Sequence, residues 1–511
     1  MLFRSERLTP PSPMRSPMMV SVIIPMYNSA RYVAETIHSV LASTYTDIEV
    51  VCIDDGSADN SADIAEQIAA TDSRVKVLRQ PNGGVCRARN AAIRASHGEY
   101  ILPVDADDVL MPQFIADAVA VLSADSDVKV VVPSAEFFGA RSGQWSLRPY
   151  SPHLLARKNM LPATAMYRRT DYQRIGGYCT ELKAREDWEF WISMLENGGK
   201  VVTLPGIGLK YRIHQFSKRV ADRKLKRHVV EVLNRRHPDF FEEQLGGPLH
   251  LHRSWSRMLN ALYRLLHPRK VFTMPQYAQL HTFIATLPAR FRFDAGKVIY
   301  RGRNELRTFH TVVGNVVVKS FCTPNIINRI AYGLLRASKA ERSCTYADKL
   351  RSIGIGSPAP VGWCTERSGL LFTRSYYASM QSALPHTYID IIKGNTDAHT
   401  ADLYLLEIGR TAAKMHQAGM IHRDFSRGNI LLGIDDDGKA LVEIIDLNRI
   451  RFHEVSIAEG IANFNRLPAN EHMKRIMAEG YAEVRGFSAE ECLKLWPHTE
   501  DISSPEAGTR F

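Results

Sequence analysis

No run of 18 or more apolar residues occurs in this chain of 511, so a transmembrane helix is not expected. Cysteine is sparse, with seven residues at positions 52, 86, 179, 322, 344, 364 and 492. They are odd in number, scattered and never in a CxxC pair. That argues against a disulfide framework or a zinc site and fits a reducing cytoplasm. Zinc-finger spacing, an RNA-binding aromatic motif and a convincing helix-turn-helix are also missing, so nucleic acid is not an expected partner. No internal repeat relates the two halves. The opening "MLFRSERLTPPSPMRSPMM" holds Pro, Ser and Arg but no apolar core. It is expected to be a disordered tail over residues 1–19 rather than a secretory signal, with Met18 or Met19 as alternative starts to Met1.

What is present is ordinary for globular protein: 45% hydrophobic and 23% charged residues. The length suits two to four domains. The net charge of +11 is uneven, because residues 216–292 hold fifteen Lys/Arg against five Asp/Glu. Such a basic stretch attracts anionic lipid head groups or phosphorylated glycans. Within it, "SWSRMLNALYRLL" puts Trp255, Met258, Leu259, Leu262, Leu265 and Leu266 on one helical stripe. The stripe either packs inside a connector bundle or makes a basic amphipathic helix that seeks a surface.

The first 210 residues alternate strand and helix signals. "VSVIIPMY", "IEVVCIDDGS", "RVKVLRQ" and "EYILPVDADD" read as strands, separated by segments with apolar residues at helical spacing. This βαβ rhythm predicts a Rossmann-like, mostly parallel sheet covered by helices, with ligands at the carboxyl ends of the strands. Asp54, Asp55, Asp105, Asp107 and Asp108 fall at those ends. Asp105 and Asp107 alternate on an extended segment, so they can face one Mg²⁺ or Mn²⁺ ion together with a substrate diphosphate. Asp54 and Asp55 can accept hydrogen bonds from a base or ribose. Glu186 and Asp187 open an amphipathic helix, where a carboxylate can be oriented.

Four motifs, "VSVIIPMYN", "IDDGSADNS", "GGVCRARNAAIRASHGEYILPVDADD" and "REDWEFW", follow in one order. Together they resemble family 2 glycosyltransferases of the GT-A fold over residues 20–212. The resemblance implies inverting sugar transfer from a nucleotide-diphospho-sugar. It places Pro25, Tyr27 and Asp55 on the nucleoside, and Arg87 and Asn90 near the diphosphate. It makes Asp105 and Asp107 the metal motif and Asp187 the general base, with Glu186 as the alternative.

After residue 292 the pattern changes to short strands, then helices. "KVIYRG", "TVVG" and "NVVVKSF" predict a small antiparallel sheet with a turn at Gly314-Asn315. Phosphoryl transfer needs a lysine on the nucleotide phosphates, metal-holding groups and a base near the acceptor hydroxyl. Lys319 lies late in a strand, and Glu341 follows on a helix as its candidate ion-pair partner. "HRDFSRGN" sets Asp424 and Asn429 at catalytic-loop spacing, and "IIDLNRI" offers Asp446 as a metal ligand. "DLNR" stands where a protein kinase has D-F-G, and only 65 residues follow Asp446, too few for a full protein-kinase helical lobe.

The segments "VVVKSF…SKAERS", "SIGIGSPAPVGW", "MHQAGMIHRDFSRGNILL" and "EIIDLNRIRF" resemble the bacterial lipopolysaccharide kinases, the Kdo and heptose kinases, over residues 295–470. The resemblance implies an α+β two-lobed kinase-like fold and ATP-dependent phosphorylation of a sugar hydroxyl. Asp424 would act on that hydroxyl, Asn429 and Asp446 would hold the metals, Lys319 the ATP phosphates, and Arg423 would be structural. The expected organisation is a tail (1–19), a GT-A domain (20–215), a basic helical connector (216–292) and a kinase-like domain (293–511). The expected acceptor is a glycolipid such as lipopolysaccharide core, met at the inner face of the inner membrane. A pseudokinase module that only binds acceptor, and a protein or small-molecule kinase, are the alternatives for the second half.

Overall fold

The computed structural model describes residues 18–146, 148–214, 222–334, 336–369 and 371–497. The expected tail lies outside them except for Met18 and Met19, as does the start of the expected connector. The chain divides into two units, Met1–Asn260 and Ala261–Phe511.

The first unit is built on a mixed sheet of nine strands: β1 (Val20–Met26), β2 (Ile48–Asp54), β3 (Val75–Arg79), β4 (Tyr100–Pro103), β5 (Val109–Leu110), β6 (Val128–Gly139), β7 (Gly143–Trp145), β8 (Met166–Arg168) and β9 (Lys200–Ile213). The order is β3-β2-β1-β4-β8-β6-β9-β5, with β7 on β6. The leading four strands are parallel as expected. Beyond them β8 runs antiparallel to both β4 and β6, while β6 and β9 are parallel. The sheet is therefore more mixed than the sequence rhythm suggests.

Strands β1 and β2 are apolar on both faces because both faces are covered. Val20, Val22, Ile24, Val50 and Cys52 enter one core, and Ile23, Val51 and Ile53 enter the other. The second core also receives Trp188, Phe190 and Trp191 from the helix Glu186–Leu195. Burying each such side chain contributes about 1.5–3 kcal/mol.

The segment 216–292 is not one connector. Val229, Leu233, Phe240, Phe241 and Leu249 pack into the first unit's core beside Trp188. Farther on, β10 (Arg269–Thr273) pairs with a strand of the second unit, and Leu280, Phe283, Ile284, Leu287 and Phe291 enter that unit's core. The stripe on the helix Ser256–Leu266 is not packed inside a bundle: Trp255, Met258, Leu262, Leu265 and Leu266 are exposed.

The second unit begins with β10 and continues through β11 (Lys297–Arg301), β12 (Glu305–Thr311), β13 (Gly314–Phe321), β14 (Pro360–Ser368) and β15 (Leu371–Met380). These form an antiparallel sheet in the order β10-β14-β15-β13-β12-β11. The β12–β13 turn sits at Val312-Val313, ahead of the expected Gly314-Asn315, so "TVVG" is the turn itself. Short strands follow: β16 (His386–Thr387), β17 (Met420–His422), β18 (Ile430–Ile434), β19 (Ala440–Ile444) and β20 (Ile450–Phe452). They join the helices Ala398–Gln417 and Glu471–Arg485 in a mostly helical half. Those two helices meet backbone to backbone: a Cβ on Gly409 would lie 2.2 Å from the Met477 carbonyl oxygen, and one on Gly480 2.2 Å from that of Leu406. Among the described residues no helix is long and apolar enough to cross a membrane.

Candidate active sites

In the first unit the ends of β1, β2 and β4 bring the acidic loops together, as sheet topology requires. Tyr27, just past β1, is 53% exposed and offers a free ring, while Pro25 lies within the strand. Asp54 and Asp55 are both buried. Asp54 accepts from the Ser57 amide at 3.2 Å. Asp55 accepts from Gln80 Nε2 at 2.7 Å and from the Gly83 and Gly84 amides, each at 2.8 Å. Its carboxylate thus shapes the 80–84 loop rather than projecting freely. Gly84 holds φ +86° there, a conformation L residues rarely adopt. The loop lines a cleft of about 530 Å³ together with Arg87, Asn90 and Arg94.

The two residues expected near a diphosphate separate in role. Both line the cleft, but the Asn90 side chain is also fixed from behind. The Asn90 amide is spent on the 172–178 turn: it donates to the Tyr178 carbonyl at 2.9 Å, and its oxygen accepts from the Tyr178 amide at 2.9 Å and the Tyr172 hydroxyl at 2.8 Å.

Arg89, which sequence reading passed over, is 2% exposed and joins the two acidic clusters. Its Nη2 is 2.7 Å from Asp105 Oδ1 and its Nη1 is 3.3 Å from Glu186 Oε1. Asp107 meets His214 Nε2 at 2.6 Å, and its carbonyl accepts from Arg212 Nε at 2.7 Å. Asp108 is buried, takes the Arg212 amide at 2.9 Å and leaves Oδ2 without a partner. Burial, then the charges of Asp105 and Asp107, push its carboxyl well above the usual range.

Asp187 accepts from Asn159 Nδ2 at 2.6 Å and from the Trp188 amide at 2.8 Å. Burial first, then the neighbouring Glu186 charge, push it up to about 7. A carboxylate so tuned can take a proton near neutral pH. Glu186, by contrast, is tied to Arg89.

In the second unit β17 and β20 pair around the loop that carries Asp424. The Asn429 side chain donates to the Asp424 carbonyl at 2.9 Å and the Ser426 hydroxyl at 3.2 Å, which fixes the loop. Lys319 Nζ lies 2.7 Å from Asp446 Oδ1, so the β13 lysine meets the aspartate two residues past β19. Asp446 holds φ +58°, and its Oδ1 accepts from Asn448 Nδ2 at 2.5 Å. Asp424 pairs with Arg466, and its Oδ2 lies 3.5 Å from Arg449. Arg423 is exposed.

Glu341 does not follow the expectation. It caps its own helix, Lys339–Ser352, in a reciprocal capping box with Ser338. Lys319 pairs with Asp446 instead.

These geometries meet two family models. Residues 21–185 match "Glycosyl transferase family 2", and residues 323–470 match the "Lipopolysaccharide kinase (Kdo/WaaP) family". The chain joins a family 2 glycosyltransferase domain to a lipopolysaccharide-kinase-family domain.

The transferase domain is 42% identical over 98 residues to the glycosyltransferase GlyG of Streptococcus pneumoniae, covering 19% of this chain and 33% of that protein. It is 31% identical over 164 residues to the uncharacterized glycosyltransferase YibD of Escherichia coli, covering 32% and 45%. The chain therefore spans less than half the length of these relatives. Among solved structures, Staphylococcus aureus TarS residues 1–349 match at TM-score 0.39 and 22% identity, over 54% of this chain and 81% of that one. Mannosyltransferase PcManGT of Pyrobaculum calidifontis, solved with GDP-Man and Mn²⁺, matches at TM-score 0.38 and 22% identity, over 56% and 85%. Two site features fall outside the family matches: Glu186 and Asp187 just past the first, and Lys319 just before the second.

The donor sets fit a hard divalent cation. Among the described residues no three His, Cys, Asp or Glu side chains form a ready metal cluster. Mg²⁺ and Mn²⁺ sites of this kind need only one or two carboxylates, because substrate phosphates and waters complete the shell. In the transferase domain Asp105 and Asp107 would supply oxygen, with His214 beside Asp107. In the kinase-family domain Asp446 and the Asn429 side-chain oxygen would do so. Such an ion would neutralise the phosphate oxygens.

Behind Asp187, the transferase domain holds a buried ionic network. His237, 3% exposed, lies between Glu189 (Nε2, 3.0 Å) and Glu196 (Nδ1, 2.8 Å), and Arg236 reaches Glu189 at 2.6 Å. Burial alone would lower the imidazole, but Glu196 and then Glu189 outweigh it and hold His237 at about 9. A histidine raised above its unfolded value of about 6.5 stabilises the fold fully below that pH. The contribution is lost as pH rises through about 9. The unfolding temperature of the first unit is therefore expected to fall across that window. In His237→Gln the pH slope should flatten whatever its starting stability, as scanning calorimetry at a series of pH values would show.

Proposed function

We propose that the chain is a bifunctional enzyme of cell-envelope glycan assembly, with lipopolysaccharide core as the acceptor class. The transferase domain performs inverting transfer from a nucleotide-diphospho-sugar. Asp105 and Asp107 hold the cation on the diphosphate, and Asp187 removes the acceptor proton. The observation that carries this assignment is Arg89, whose one guanidinium ties the metal-motif Asp105 to Glu186, the neighbour of the base. This link supports reading the metal motif and the base as parts of one site rather than as two unrelated acidic turns.

In the kinase-family domain, ATP phosphates meet Lys319, metals meet Asn429 and Asp446, and Asp424 orients and deprotonates a sugar hydroxyl. Nucleotide-sugar and ATP as co-substrates support a cytoplasmic setting. The exposed apolar stripe on Ser256–Leu266, with exposed Arg257 and Arg264 on the same helix, supports peripheral contact with an anionic membrane surface.

One observation favours a second reading, in which the domain binds acceptor without chemistry. Asp424 is engaged by both Arg466 and Arg449. Incubation with γ-labelled ATP and purified core oligosaccharide decides between them. Label on the oligosaccharide supports the kinase; retained oligosaccharide binding without label supports the binding module. Label on protein instead would favour a protein kinase. Under the first reading, Asp424→Asn is expected to lower phosphate transfer by roughly 10²–10⁴-fold. The thermal midpoint should move little, since a partly exposed ion pair is worth about 0–1 kcal/mol.

A further inference from the structure

Strands β6 and β9 are the longest of the first unit, at 12 and 14 residues. Their ends run past the acidic loop and carry the hairpin strand β7. On one face the buried pair Ala135 and Leu209 continues outward as Phe137 and Tyr211, which are register partners. Trp145 of β7 joins the same face opposite Ala135. Phe137 and Trp145 stack at 5.4 Å between centroids and 18° between planes, and Trp145 meets Tyr211 edge-on at 5.1 Å.

All three rings are half-buried. Trp145 seats one side on the core while the rest stays accessible. The residues opposite two of the rings are small, Ala135 and Gly143, and a Cβ added to Gly143 would meet nothing within 4 Å. Arg141 lies over the Phe137 ring at 5.8 Å from its centroid, and the partly exposed rings of Trp145 and Tyr211 leave apolar surface open beside it at the edge of the site.

The cluster is joined to the acidic centre. Arg212, next to Tyr211, donates its amide to Asp108 and its Nε to the Asp107 carbonyl. Burial, then the charges of Asp105, Asp108, Asp107 and Asp187, raise the Tyr211 hydroxyl, so it lies in the field of these carboxylates. The position in the sheet says which substrate it meets. Tyr27 and the Asp55 loop lie at the β1-β2-β3 end, β4 with its metal motif is central, and β6, β7 and β9 lie on the far side. A donor nucleoside at the first end leaves the rings beside the incoming acceptor.

We propose that Phe137, Trp145 and Tyr211 form an acceptor platform, on which the apolar face of a neutral pyranose ring in the glycan stacks. Aromatic rings supply rigid apolar area for such a face, and the Tyr211 hydroxyl adds a polar edge. The inference rests on the transferase reading of the acidic site.

The test uses the full chain and core oligosaccharide released from lipopolysaccharide as the probe. Trp145→Leu keeps apolar packing but removes the ring, and Trp145→Phe restores a ring. The Leu variant is expected to weaken oligosaccharide binding roughly five- to tenfold, and the Phe variant to recover most of it. Nucleoside diphosphate binding, measured by the same calorimetric titration, should stay within about twofold of wild type. Saturation-transfer NMR should show pyranose C–H protons receiving magnetisation from the rings in wild type. Equal losses in the Leu and Phe variants, a matching loss of nucleoside diphosphate binding, or no oligosaccharide binding by a wild-type protein that binds the nucleotide would each overturn the platform. A wild-type protein that binds the oligosaccharide but neither binds nor uses any nucleotide-sugar would instead count against the transferase reading.

Discussion

Asp107→Ala is expected to reduce sugar transfer by roughly 10³-fold while leaving phosphate transfer within about twofold, and Asp446→Ala to do the reverse. A thousandfold loss corresponds to about 4 kcal/mol of transition-state stabilisation, in keeping with removing a principal ligand of a charge-neutralising cation. Each aspartate sits at the end of an apolar strand in its own unit, with its own hydrophobic cores. Substitutions without shared partners add independently. Neither carboxylate is buried in a core, so both variants should keep the wild-type thermal midpoint within a few degrees. Parallel assays with labelled nucleotide-sugar and labelled ATP on one preparation separate the activities. Loss of both in either variant would contradict independent sites.

The second large effect is in pH. Asp187 is held at about 7 by burial and by Glu186, and as a base it works only when ionised. Sugar-transfer kcat/KM is therefore expected to rise about tenfold per pH unit below that value and to level off above it. Asp187→Asn should lose transfer by roughly 10²–10⁴-fold and keep nucleoside diphosphate binding. Glu186→Gln should retain much of the rate and shift the limb to lower pH, because one of the charges raising Asp187 is gone. A flat profile between pH 5.5 and 8.5 in the wild type would remove Asp187 from the role of base.

The sequence announced those features that depend on local pattern. Asp105, Asp107, Asp424 and Asp446 follow apolar strands, and a strand end fixes where a side chain emerges. Arg89 was missed for a geometric reason. It lies two residues from Arg87 on the helix Val85–Arg94, and a two-residue step turns a side chain about 200° around the axis. Arg87 thus faces the cleft while Arg89 faces inward. His214 reaches Asp107 across 107 positions of chain, a pairing set by sheet order alone.

Glu341 shows the opposite case. "SKAE" at 338–341 is a capping-box spelling, a local signal that assigns Glu341 to its own helix terminus rather than to Lys319. In the stretch 216–292 the basic charge is plain in the sequence, but β10 stands among the expected helices, and periodicity cannot say which core a helical face joins. The half-buried rings of β6, β7 and β9 meet through a β6–β7 hairpin register and a parallel β6–β9 pairing that the sequence does not specify.

The central claim is that one polypeptide both glycosylates and phosphorylates a glycan. Its most direct test is mass spectrometry of core oligosaccharide after incubation with the purified chain, a nucleotide-sugar panel and ATP. The account predicts one glycosyl and one phosphate increment on the oligosaccharide, with only the phosphate lost in Asp446→Ala. A glycosyl increment that forms normally while ATP leaves no phosphate on any sugar would contradict it.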